Sequence, residues 1–206
     1  MSLYQMMTKP LGLPELGQLF FSDDRILLVP DAFYAAEHDV LLDITGIFLE
    51  HGAEPPQITL LFTDADTGAD SLRQRLPAGA GIHIHQPGKE SELARLGVND
   101  KDEPVMLNRT LIDADLILTI GKFAAVPGKN DFGIHSAVFP RFSGLETVQR
   151  FQASRVAKRK LKEEADQAAS MLGIIFTVQF LHRKDKTTRI AAGLPHLVEN
   201  FLRAYG

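Results

Sequence analysis

The sequence predicts an α/β fold, a three-layer Rossmann-like domain on a largely parallel sheet. Three observations predict it. Short, continuous apolar runs recur along the chain, as expected of strands covered on both faces. Segments with apolar residues three and four apart separate them, as expected of amphipathic helices. Glycine, proline and aspartate gather where one kind of segment gives way to the other, which marks the loops of strand–helix units.

The elements follow in order. RILLVP, Arg25 to Pro30, reads as a strand stopped by proline. AFYAAEHDVLLDITGIFLEHG, Ala32 to Gly52, reads as a helix, with Asp31 as its cap and Gly52 as its stop. ITLLFT, Ile58 to Thr63, is a second strand, and DADTGAD, Asp64 to Asp70, a turn-rich loop at its C-terminal end. SLRQRL is a short helix, GIHIHQP a third strand, and ESELARLG, Glu90 to Gly97, a further short helix. DLILTIGKF, Asp115 to Phe123, is the clearest strand, apolar enough to be buried on both faces. A loop rich in glycine follows it. Ser143 to Leu172 reads as mainly helical, with Ser143 and Glu146 spaced as a capping box. GIIFTVQFLHR and TTRIAAG are two strands joined by the polar turn KDKT, and LPHLVENFLRAYG closes as a helix. In such sheets ligands bind beyond the C-terminal ends of the strands. Three loops are expected there: Asp64 to Asp70, His85 to Gly88, and Lys122 to Phe142.

Composition narrows the chemistry. The chain has 206 residues, with 26 acidic and 22 basic side chains and a formal charge of −4. That balance gives no general reason to expect nucleic acid. The basic run RVAKRKLK, Arg155 to Lys162, has no interleaved aromatics and is followed by acids, so it reads as a solvated helix face. With no cysteine, thiolate metal sites and a cysteine nucleophile are excluded. The N-terminus lacks the apolar core of a secretory signal, and no run is long enough to span a bilayer. A cytoplasmic protein without membrane partners is expected.

Several constellations carry possible chemistry. Asp64, Asp66 and Asp70 are either crowded acids for a hard cation or an exposed turn in which Gly68 supplies a positive φ. His83 and His85 alternate with isoleucines and share one strand face, which suits either a metal or acid–base pair or two hydrogen bonds at the sheet end. GKFAAVPGKNDFG lacks both GxGxxG and GxxxxGK[ST]. Its Lys122 and Lys129 read equally as phosphate contacts or solvated residues, and His135 is the loop's lone histidine. No GxSxG elbow is present.

Four segments, in order, resemble the N-terminal domain of the nickel-dependent lactate racemase family. IHIHQPGKESELARLG resembles its histidine-ended strand and "LG" turn. EPVMLNRTLIDADLILTIG resembles its segment of "NR", "ADLVI" and glycine. FPRFSGLETV resembles "PGxxGxET", and TTRIAAG the strand ending "FAG". The resemblance spans Ile26 to Tyr205 and implies a lactate racemase N-terminal-like domain over 25–206, preceded by an extension over 1–24. It also implies a small 2-hydroxy acid as ligand, a nickel-pincer nucleotide as cofactor, and a C-terminal partner domain or subunit. In the family two histidines serve as alternating acid and base while the cofactor carries the hydride.

Carried over residue by residue, the resemblance puts His85 at the first catalytic histidine. ADTG, 65–68, falls on the family's "DHTR", which adds Asp66 and Thr67 to the catalytic set. Cofactor and anion positions fall on Lys122, Lys129, Asn130, His135 and Ser136, with no metal ligand assigned. The departures are specific. Gly68 stands for the carboxylate-gripping arginine, Gly128 for the second histidine, Ser136 for the anchoring lysine, and Phe151 and Gln152 near the nickel histidine. Asn108 and Arg109 read as structural, and Pro140 to Gly144 as the turn that sets the helix start. Two expectations follow: a racemase-like isomerase, or a non-catalytic ligand-binding or scaffold domain on the same fold.

Overall fold

The computed structural model describes residues 2–64, 66, 68–99, 102–124, 134–153, 158–173, 176–183 and 186–205. A central sheet has the strand order β3-β2-β1-β6-β7-β8. Its strands are β1 (Ile26–Pro30), β2 (Ile58–Thr63), β3 (Gly81–His85), β6 (Leu116–Phe123), β7 (Phe176–Arg183) and β8 (Lys186–Gly193). All neighbours pair in parallel except β7 and β8, which are antiparallel. The expected three-layer, largely parallel α/β domain is therefore the observed one.

Alternation along β1 explains the layers, because successive side chains point to opposite faces. Ile26 and Leu28 join a core with Leu41, Ile44 and Phe48 of α2 (His38–Glu50) and with Val198 and Leu202 of α7 (Pro195–Arg203). Leu27 and Val29 face the other way, toward Leu111 of α4 (Arg109–Ile112) and Ala169 of α6 (Lys158–Leu172). The N-terminal stretch contributes Met6 and Met7 of α1 (Leu3–Thr8), with Leu16 and Phe20, to the first of these cores. The Leu11 amide donates to Ala192 O at 2.8 Å and Leu11 O accepts from the Leu194 amide at 2.9 Å, which ties that stretch to β8.

Three local expectations are corrected. ESELARLG is not a helix. Its first residues form one 3-10 turn, and β4 (Leu93–Val98) then pairs antiparallel with β5 (Pro104–Asn108) in a separate hairpin. Pairing with a partner strand outweighs the weak helical tendency of eight residues ending near glycine. Ala32 to Gly52 is divided. Asp31 Oδ1 accepts from the Tyr34 amide at 2.8 Å in the turn that leads into a 3-10 turn at Tyr34–Ala36, whose N-cap is Phe33, while α2 starts later without a side-chain cap. Ser143 and Glu146 form no capping box. α5 (Leu145–Gln152) is capped at Gly144 without a side-chain bond, and the Ser143 hydroxyl donates to Pro140 O at 2.6 Å instead. The short helix α3 (Ala69–Arg73) begins two residues before SLRQRL.

Candidate functional site

From β1 the chain runs outward to β2 and β3 on one side, then crosses to β6 and β7 on the other. The strand order thus reverses between β1 and β6, where open α/β sheets form a ligand crevice at their C-terminal ends. Asp31 holds that point together. Its amide donates to Ile120 O at 2.7 Å, and its Oδ2 accepts from the Lys122 amide at 2.7 Å. Both carboxylate oxygens are therefore engaged by backbone.

Beside this point lies a cleft of about 710 Å³. The three expected loops meet there: Asp64 after β2, Pro87 after β3, and Ser136, Pro140 and Arg141 from the segment after β6. Phe33 closes one wall, and Val148, Phe151 and Gln152 of α5 another.

Arg141 is the feature that sequence reading missed. Its Nη1 donates to Pro30 O at 3.0 Å, and its Nη2 forms a charge-assisted bond with Asp66 Oδ2. The side chains are only 14% and 5% exposed, so this ion pair is largely withdrawn from water. Asp66 Oδ2 also accepts from the Thr63 amide at 2.7 Å, which fixes the carboxylate at the end of β2. The signal that could have found Arg141 is a charge between two phenylalanines, in Phe139-Pro140-Arg141-Phe142.

His85 occupies a different environment. Its side chain is fully buried. Nε2–H donates to Ser143 O at 3.1 Å, and Nδ1 accepts from Asn108 Nδ2 at 3.0 Å. A carbonyl accepts only, so Nε2 carries the proton and the ring is neutral. Burial pushes its pKa down, partly opposed by the bond to Ser143. His83 is not fully buried. Its Nε2 lies 3.4 Å from the same Asn108 amide and 3.6 Å from Glu92 Oε2.

Of the remaining described candidates, Lys122 and His135 are not among the residues that line the cleft. The Lys122 ammonium sits 4.7 Å from the Phe33 ring centre. His135, in the 3-10 turn Ile134–Ala137, lies 3.9 Å from Asp166 Oδ1, and burial lowers its pKa. Ser136 lines the cleft. Thr67, Lys129 and Asn130 lie outside the described residues. Gly68 has φ +89°, the conformation the turn reading requires, and a Cβ there would stand 2.6 Å from His38 Nε2.

A pH prediction follows from the buried His85 and the half-buried His135. Their folded pKa values lie below the ordinary 6.5, so the unfolded chain binds more protons below that pH. Their contribution is complete above about pH 6.5 and is lost as pH falls through the folded values. The urea midpoint should therefore drop between pH 7.5 and pH 5.5. A midpoint that stays level or rises would contradict this.

Among the described residues, the donor chemistry does not suit a nickel-pincer nucleotide. Ser136 offers no amine for a thioamide anchor, and Gln152 no imidazole. No group of three or more His, Asp or Glu side chains able to hold a metal occurs among the described residues. No helix among them is long and apolar enough to cross a membrane.

No family model and no curated protein matches the chain. Solved structures do. The lactate racemase apoprotein from Thermoanaerobacterium thermosaccharolyticum superposes with a TM-score of 0.73 at 12% identity, over 96% of this chain and 53% of that one. A protein from Thermotoga maritima superposes with a TM-score of 0.62 at 18% identity, over 91% and 53%. At such identities the likeness is one of fold. This chain spans about half the length of either structure.

Proposed function

We propose that this chain is a ligand-binding α/β domain whose cleft takes a small 2-hydroxy acid without nickel-pincer chemistry. The observation that carries the reading is the convergence of three strand-end loops, through Asp64, Pro87 and Arg141, on one cleft at the point where strand order reverses. A 2-hydroxy acid offers one carboxylate and one hydroxyl, and this cleft offers one guanidinium and the Asp64 carboxylate as acceptor. The fold likeness to the lactate racemase apoprotein supports that substrate class. A lactate-racemase-like isomerase using the nucleotide cofactor is the finer reading of that likeness, and the side chains at Ser136 and Gln152 speak against it. Buried and bonded at both ring nitrogens, His85 serves in this proposal to hold β3 to Ser143 and Asn108 rather than to exchange protons with ligand. A second domain or subunit would close the open side of the cleft.

Titration of the isotope-labelled chain with L- and D-lactate, followed by amide chemical shifts, tests the proposal. Saturable shifts are expected at Asp31, Phe33, Asp64 and Arg141, with a Kd on the order of 1 mM for so small a ligand. Added nickel should leave the curve unchanged. Shifts that never saturate, or that fall elsewhere, would remove the binding reading, and a curve tightened by nickel would restore the cofactor.

A further inference from the structure

We infer that Arg141 is the carboxylate anchor of this cleft and that Asp66 is its positioning residue. The inference rests on reading the cleft as a hydroxy-acid site, and adds which residue reads the ligand's charge.

Arg141 is the one cation among the described residues lining the cleft. A guanidinium has five N–H donors in a rigid plane. Two of its contacts, to Pro30 O and to Asp66, hold that plane in place before any ligand arrives. The side chain is thus ordered in the free protein, and less of its rotamer freedom is left to lose on binding. Its partner Asp66 is fixed in turn by the Thr63 amide. The chain of support runs from the ends of β1 and β2 to the guanidinium.

The backbone also explains why the cation comes from this turn. Position 68, where the family resemblance expects an arginine, has φ +89° and is packed against the His38 ring. A side chain there would be strained by its own backbone and would displace the imidazole. A guanidinium delivered from position 141 reaches the cleft without using that position.

Local charge narrows the ligand further. Asp31 and Asp64 also line the cleft. Because its charge is already paired with Asp66, Arg141 has only its remaining N–H donors to offer a monoanion, while Asp64 can accept from that ligand's hydroxyl. This arrangement disfavours a dianion, whose second charge would face Asp64.

The test compares lactate with lactamide, which has the same skeleton and hydroxyl but no charge. The wild-type chain should bind lactate at least about tenfold more tightly, the usual scale for a charge-assisted bond. Arg141→Gln should bring the two ligands within about twofold. Arg141→Lys should recover part of the preference, and Asp66→Asn should weaken lactate binding while leaving lactamide nearly unaffected. A preference that survives in Arg141→Gln overturns the inference and leaves the cleft reading standing. If Arg141→Gln fails to fold, the wild-type comparison decides, and equal affinity for the two ligands overturns the inference. Binding of neither ligand overturns the cleft reading and the inference together.

Discussion

Gly193→Ala should lower the unfolding free energy by about 3 kcal/mol, the sum of backbone strain and two strained or lost hydrogen bonds. Gly193 ends β8 with φ +143°, a conformation that L side chains rarely adopt. A Cβ there would meet the carbonyl oxygen of Leu11 and lie 2.5 Å from its amide nitrogen. Both are backbone atoms and cannot step aside as a side-chain tip would. They are also the atoms that bond Ala192 and Leu194. To admit a methyl group, the Leu11 strand-like contact must open, and α1 would be drawn away with Met6 and Met7. Equilibrium urea unfolding measures the loss, and hydrogen exchange at the Leu11 and Leu194 amides locates it. A variant within about 1 kcal/mol of wild type, with both amides still protected, would show that the edge of the sheet tolerates the displacement.

Much of this fold could be read from single segments. DLILTIGKF and ITLLFT are apolar without alternation, and each became a strand covered on both sides. The loops that form the cleft were legible for the same reason: once strands are placed, their C-terminal ends are known. What was not legible depends on distant partners. β4 needs β5 to exist, and nothing local in ESELARLG announces that pairing. The Ser143 hydroxyl had two acceptable uses, and the nearby Pro140 carbonyl took it from the helix cap. Arg141 acquires its place from Asp66 and Pro30, 75 and 111 residues earlier in the chain. His85 is similar. The alternating GIHIH pattern places it on one sheet face, but only the Ser143 carbonyl and the Asn108 amide show that the ring is enclosed.

Asn108→Ala should destabilise the chain by about 3 kcal/mol, because one buried side chain satisfies several groups at once. Its Oδ1 accepts from the Thr110 amide at 2.9 Å, capping α4, while its Nδ2 donates to His85 Nδ1. Truncation leaves a helix donor and a buried ring nitrogen without these partners. Asn108→Asp is the sharper experiment. A carboxylate can still accept from Thr110, but toward His85 it presents a lone pair where a donor stood. His85 already uses its Nε2–H on Ser143, so the Nδ1 contact becomes favourable only if that nitrogen gains a proton. The folded pKa of His85 would then rise above its ordinary value, and the linkage changes sign. Its contribution would be complete below about pH 6.5 and lost as pH rises through the folded pKa. Wild type should weaken on acidification from pH 7.5 to 5.5, and Asn108→Asp should weaken clearly less over the same window, because the His85 contribution reverses while that of His135 remains. Urea midpoints at the two pH values distinguish the cases. If the aspartate variant weakens in parallel with wild type, the Asn108 amide does not set the His85 tautomer, and the assignment of that ring as a neutral structural bridge fails with it.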